Sequence, residues 1–187
     1  MKAVPSDQWR VDSREAAQCA ALPTANHYPL ATVLIVGYGN PLRSDDALGW
    51  HACKLLEREF VCQSAQIIAC HQLTPELAEP LSQCRQAVFI DADATGIPGA
   101  IRLRTVRAEV PTGLLFTHTC TPSGLLAIAL QLYGHMPVAI LITVSGQCFE
   151  LGDTLSPAVV ATLPEVVAQA CRWVDPLQSN AKMNRRS

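Results

Sequence analysis

The stretch Val33–Trp50, VLIVGYGNPLRSDDALGW, decides the fold. It opens as an unbroken apolar run that ends at glycine, the pattern of a strand buried on both faces. It turns through Gly37-Tyr38-Gly39-Asn40 and then meets two adjacent aspartates, Asp45 and Asp46. Helical spacing follows over 44–60, where Leu48, Ala52 or Cys53, Leu55, Leu56 and Phe60 form one apolar stripe. Ser44 or Asp45 is placed to cap that helix, and Asp46 lies in the field of its positive end.

A glycine turn between strand and helix suggests a phosphate cradle, but the details exclude one. The dinucleotide fingerprint needs a third glycine three residues after the second, and Leu42 stands there. No G-K-[ST] triplet occurs anywhere, and two carboxylates beside the turn would repel a phosphate. No cofactor-binding residues are therefore expected. Gly37 and Gly39 are read as permitting tight turning or the close approach of a partner chain. Asn40 suits the turn through bonds to nearby backbone groups.

Outward from this stretch, strands are expected at 65–70 (AQIIAC), 87–94 (AVFIDADA) and 137–146 (PVAILITVSG). AIRLRTV (100–106) alternates apolar with polar, as an edge strand with one wet face does. Helices are expected at 74–84, with Thr74 as cap and Pro75 first, and at 123–134, ending at Gly134. A closing helix over 156–174 is capped by Ser156 and kinked near Pro164. The resulting order alternates strand and helix almost throughout. It predicts an α/β fold: a mostly parallel twisted sheet of about five strands, helices on both faces, and one antiparallel edge strand. Residues 1–31 read as an N-terminal extension with one short helix around 12–21, residues 32–175 as a single domain, and residues 176–187 as a tail.

Composition narrows the function. The 187 residues are 49% hydrophobic and 16% charged, which fits a globular chain and argues against broad disorder. A formal net charge of −2 gives no general pull toward nucleic acid, and only Lys182, Arg185 and Arg186 form a basic cluster. The longest apolar run is strand-sized, so no membrane helix is expected. Asp7, Asp12 and Glu15 replace the apolar core that a signal peptide needs. The eight cysteines form no C-x-x-C pair, and several sit in apolar surroundings. They read as reduced buried thiols in a cytoplasmic compartment.

Ligands of open α/β sheets bind beyond the carboxyl ends of the strands. That rule gathers Asp45 and Asp46 after the first strand, His71 and Gln72 after the second, Asp91 and Asp93 at the end of the third, and His118 ahead of the helix at 123–134. Asp91 follows an apolar run, where an unpaired charge is costly. It is either paired, for example with Arg43 or a helix end, or part of a site. Asp46, Asp91 and His118 together make an oxygen, oxygen, nitrogen set suited to a borderline divalent cation such as nickel or zinc. His27 and His51 read as structural or solvated, and His135, after the helix-ending Gly134, as a loop residue. No G-x-S-x-G elbow supports a serine nucleophile, and Cys120 beside His118 has no established nucleophile geometry.

Four ordered motifs carry a family resemblance: GYGNPLRSDDALG, FIDADATGIPG, the His118 preceding PSGLLAIALQLYG, and GQCFELGDTLSPAVVATLP. They resemble the hydrogenase maturation endopeptidases across about residues 32–172. CHQLTPELAEP is similar to the branch that serves cytoplasmic, often bidirectional, [NiFe] hydrogenases. The resemblance implies removal of a C-terminal extension from the hydrogenase large-subunit precursor after nickel insertion, with nickel in the substrate as the recognition element. It implies Asp46, Asp91 and His118 as nickel contacts, and Asp46 and Asp91 as the catalytic pair. The expected partner is that precursor, and the expected state is a monomer. Ala47 departs from the glycine many members carry after the acidic pair; alanine is easily held in a first helical turn.

Overall fold

The computed structural model describes residues 31–59, 65–109 and 120–174. Its elements are β1 (Ala31–Tyr38), a 3-10 turn (Ser44–Ala47) running into α1 (Leu48–Glu59), β2 (Ala65–Cys70), a 3-10 turn (Pro75–Leu77) running into α2 (Ala78–Ser82), and β3 (Cys84–Asp93). Then come β4 (Ile101–Val106), α3 (Pro122–Tyr133), β5 (Val138–Ser145), α4 (Pro157–Val160) and α5 (Leu163–Val174). The expected extension, its helix around 12–21 and the tail at 176–187 lie outside the described residues, as do Phe60, His27 and His118.

The sheet order is β2-β1-β3-β5-β4. All neighbours are parallel except β4, which pairs antiparallel with β5 at the edge, as the alternation in its sequence predicts. Helices cover both faces. On one, Leu48, Ala52 and Leu56 of α1 and Val166, Val167 and Ala170 of α5 pack on Val33, Ile35, Val88 and Ile90. On the other, Leu81 of α2 and Leu125, Leu126 and Ala129 of α3 pack on Leu34, Val36, Phe89 and Leu141. The period-two alternation of each strand thus feeds two cores. Truncating a fully buried member such as Leu125 to alanine would cost about 2–5 kcal/mol.

Three helical expectations are corrected. The helix at 74–84 is shorter, because its first turn is 3-10 and Cys84 already opens β3. Thr74 caps it only through its extended backbone and makes no side-chain capping bond. The closing helix is two helices, broken at Ala161 and Thr162 rather than bent at Pro164. Pro164 stands in the first turn of α5, where its missing N–H costs nothing. The remaining helix was read well: Gly134 ends α3 in the left-handed conformation, and Thr121 accepts from Gly124 N at 3.1 Å at its start.

The glycine turn has its own correction. A methyl group on Gly37 would lie 2.2 Å from the Gly49 carbonyl oxygen. The chain brought close at this point is α1 of the same molecule, not a partner. Without side chains at either position, helix and strand approach backbone to backbone.

Candidate active site

Asp46 stands where the β1 turn enters α1. Gly39 takes φ 133°, a conformation open to glycine, and passes so near the Asp46 carbonyl that a methyl group would be 2.0 Å from it. Asn40 N donates to Asp46 Oδ2 at 2.8 Å, while Asn40 Oδ1 accepts from Leu42 N at 2.9 Å. Trp50 Nε1 reaches back to the Gly39 carbonyl at 2.9 Å and the Cys70 carbonyl at 3.1 Å. The indole therefore ties the turn to the end of β2. Asp46 is half-buried, with one oxygen engaged by backbone.

Asp91 lies two residues before the end of β3. Burial pushes its carboxyl up to about 6, helped by the charges of Asp46 and Asp93 and opposed by hydrogen bonds from the Tyr38 hydroxyl and Ala92 N. Its partner is Tyr38, and the alternative pairing with Arg43 does not form: Arg43 Nε donates to the Phe149 carbonyl at 3.0 Å. Burial also raises the Tyr38 hydroxyl, and the neighbouring Asp91 charge adds to it. Two carboxylates from segments 45 positions apart thus lie near enough, toward the carboxyl rim, for the charge of one to act on the other. One of them, Asp91, is raised to about 6, chiefly by burial, with the neighbouring charges adding to it.

Asp45 does something else. It is fully buried, and its side chain does not cap its own helix. Oδ2 accepts from Gln147 N (2.7 Å), Cys148 N (2.9 Å) and Ser156 Oγ (2.8 Å), and Oδ1 accepts from Ser156 N (2.6 Å). Burial alone would raise this carboxyl, but these donors outweigh it and hold it below its ordinary value. Ser156, expected to cap the closing helix, spends both donors here and makes no side-chain capping bond. Ser44, at φ 44°, donates from Oγ to the Glu150 carbonyl at 3.1 Å and from N to the Gly152 carbonyl at 2.9 Å. The loop from 146 to 156 is thereby pinned beside Asp46.

The other candidates sort quickly. His71 and Gln72 are exposed beyond β2. Asp93 pairs with Arg102 and with Thr95. His135 sets Nδ1 against the Ser82 carbonyl at 2.8 Å, a structural contact. Burial, with Glu76 nearby, raises the Cys120 thiol, which disfavours a nucleophilic thiolate. His118 lies outside the described residues; of the other two expected contacts, the charge of Asp46 acts on Asp91. Among the described residues, no group of three or more His, Cys, Asp or Glu side chains could hold a metal by itself.

Sequence reasoning missed Tyr38. Continuing the β1–β3 register by one residue sets Tyr38 beside Asp91; Asp91 is partnered by Thr143 on β5, and Thr143 by Arg102 on β4. These four side chains form one polar row across the face that α2 and α3 cover further back. Only strand order and register could have revealed it.

No family model matches the chain, and no curated protein matches it. Solved structures do. The hydrogenase maturating endopeptidase HybD from E. coli superposes with a TM-score of 0.61 at 23% identity, over 74% of this chain and 89% of that one. The [NiFe] hydrogenase maturation protease HycI from Thermococcus kodakarensis KOD1 gives 0.63 at 17%, over 79% and 94%. A hydrogenase 2 maturation peptidase from a Thaumarchaeota archaeon gives 0.59 at 22%, over 76% and 97%. The chain has the fold of the hydrogenase maturation endopeptidases.

Proposed function

We propose that this chain is an endopeptidase that removes the C-terminal extension of a [NiFe] hydrogenase large-subunit precursor after nickel insertion, recognising nickel held by the precursor. The observation that carries the reading is the Asp46–Asp91 pair: one acid follows β1, the other lies near the end of β3, and the charge of Asp46 acts on Asp91. The shared fold and the four ordered motifs support it.

The chemistry follows from the geometry. Asp91 has one side engaged by Tyr38 and Ala92 N, and Asp46 one oxygen engaged by Asn40 N. Each keeps lone pairs free for a cation already carried by the substrate. His118 is assigned as the third contact. Anchoring that cation fixes the scissile bond at the rim. A carboxylate acting through water, or the ion's own polarising charge, then drives attack on the peptide carbonyl. The six free cysteines of the described residues support a reducing compartment, and the cytoplasm is assigned on that basis. Among the described residues, no helix is long and apolar enough to cross a membrane.

The test is mass spectrometry of the large-subunit precursor incubated with the chain, with nickel inserted or withheld. Loss of the extension from the nickel-loaded form alone is expected. Equal cleavage of both forms would remove nickel recognition. Stable binding with no loss of mass would make the chain a chaperone for the loaded precursor instead.

A further inference from the structure

A groove of about 490 Å³ lies at the β5–β4 side of the sheet, lined by Asp93, Ile101, Arg102, Leu103, Arg104 and Thr143. It continues the polar row: Asp91 partners Thr143, and Thr143 partners Arg102. Alternation along β4 puts Arg104 on the same face as Arg102, one step further along the edge strand. Two strand spacings separate Asp91 from Arg102, about 10 Å between backbones.

The two arginines differ. Arg102 is engaged with the Asp93 carboxylate. Arg104 is exposed and makes no ion pair among the described residues. Its guanidinium is near enough to Tyr38 and Asp93 for its charge to act on both. An exposed guanidinium fork lining a groove can bind a planar carboxylate through two parallel hydrogen bonds. The chain as a whole is slightly acidic, so this positive spot is local and is no general polyanion surface.

We propose that the groove is a peptide subsite in which Arg104 pairs with an acidic side chain of the substrate. This rests on the endopeptidase reading, because a substrate chain crossing Asp46 and Asp91 must leave along one side of the rim. An extended chain advances about 3.3 Å per residue. Arg104 lies two residues further along β4, opposite Leu141, about 12 Å from Asp91 between backbones, so a carboxylate about four residues from the scissile bond reaches it. The site adds to specificity and takes no part in bond breaking, so its contribution falls on binding.

The test uses the nickel-loaded precursor and the full chain. Wild type, Asp91→Asn, Arg104→Lys and Arg104→Glu are compared in steady-state processing, with thermal melts as the folding control. Arg104→Glu is expected to raise KM at least about tenfold with kcat within about twofold. Arg104→Lys should recover part of that loss, since it restores charge without the fork. A precursor with lysine placed about four residues from the scissile bond should be processed better by Arg104→Glu than by wild type, and one with glutamate there better by wild type. Unchanged KM in Arg104→Glu, with wild type active and Asp91→Asn inactive, would overturn the subsite and leave the endopeptidase intact. If wild type leaves the loaded precursor uncut, the endopeptidase reading falls and the subsite with it.

Discussion

Asp45 and Asp46 are neighbours in sequence and opposites in structure. Asp45 is sealed from solvent and takes four hydrogen bonds from a loop more than a hundred positions away. Asp46 is half-buried, takes one backbone bond within its own turn, and acts through its charge on a second carboxyl, Asp91. The first arrangement satisfies a charge and stabilises the fold. The second leaves a buried carboxyl under the influence of a second negative charge, which costs stability. The acid that holds the structure and the acids proposed to act therefore differ in what their oxygens touch.

The sharpest way to break this contrast is to remove one acid at a time and follow processing. Asp46→Asn and Asp91→Asn should each lower single-turnover cleavage of the nickel-loaded precursor by about a thousandfold or more, in line with loss of a ligand or general base. Both variants should keep the wild-type circular dichroism spectrum. Activity within tenfold of wild type in either would take that residue out of the site.

Asp45→Ala should do its damage in the other currency. It strands the amides of Gln147, Cys148 and Ser156 in a buried setting, at a cost of about 3–5 kcal/mol measured by urea denaturation. The sign with pH is fixed. Asp45 has a carboxyl held below its ordinary 3.8, so its contribution is full above that value and fades as pH falls through the lower, folded one. An acid-side stability loss that is absent in Asp45→Ala would confirm the clamp.

These two acids also show where sequence reading stops. Strand identity and the α/β class were legible, because apolar runs and the alternation of β4 report burial directly. Asp46 and Asp91 were legible as rim residues, because a polar group ending a buried run needs a reason. Asp45 was misread as a cap, since local chemistry favours that and its true partners lie 102 to 111 positions away. Tyr38 was missed because its bond to Asp91 depends on β1 lying next to β3, with β2 outside. Composition carries no register.

Asp91 sharpens the comparison further. Its carboxyl titrates at about 6, above the ordinary 3.8, so the folded state holds the proton more tightly than the unfolded chain. Its contribution to stability therefore declines as pH rises from near 3.8 to about 6 and is flat beyond. Asp91→Asn abolishes that decline and should stabilise the chain by about 1–3 kcal/mol at pH 8 while leaving it inactive. In the wild type, kcat/KM should rise with pH through about 6, since cation binding needs the ionised form. Destabilisation by Asp91→Asn at pH 8 would place this residue with Asp45 instead.

Asp93 supplies the smallest effect and the control. It shares the rim with Asp91, but its side chain is 34% exposed and pairs with an Arg102 side chain that is 46% exposed. Its carboxyl is held low chiefly by hydrogen bonds from Thr95, with Arg102 adding to it. Solvent screens such a pair, and it contributes between about 0 and 1 kcal/mol. Asp93→Asn should thus shift the urea midpoint only slightly. The shift should shrink further in 0.5 M salt, about where the Debye length falls below 5 Å. A loss above about 2 kcal/mol would mean that exposure does not separate these acids, and that buried hydrogen bonding is not what sets Asp45 apart.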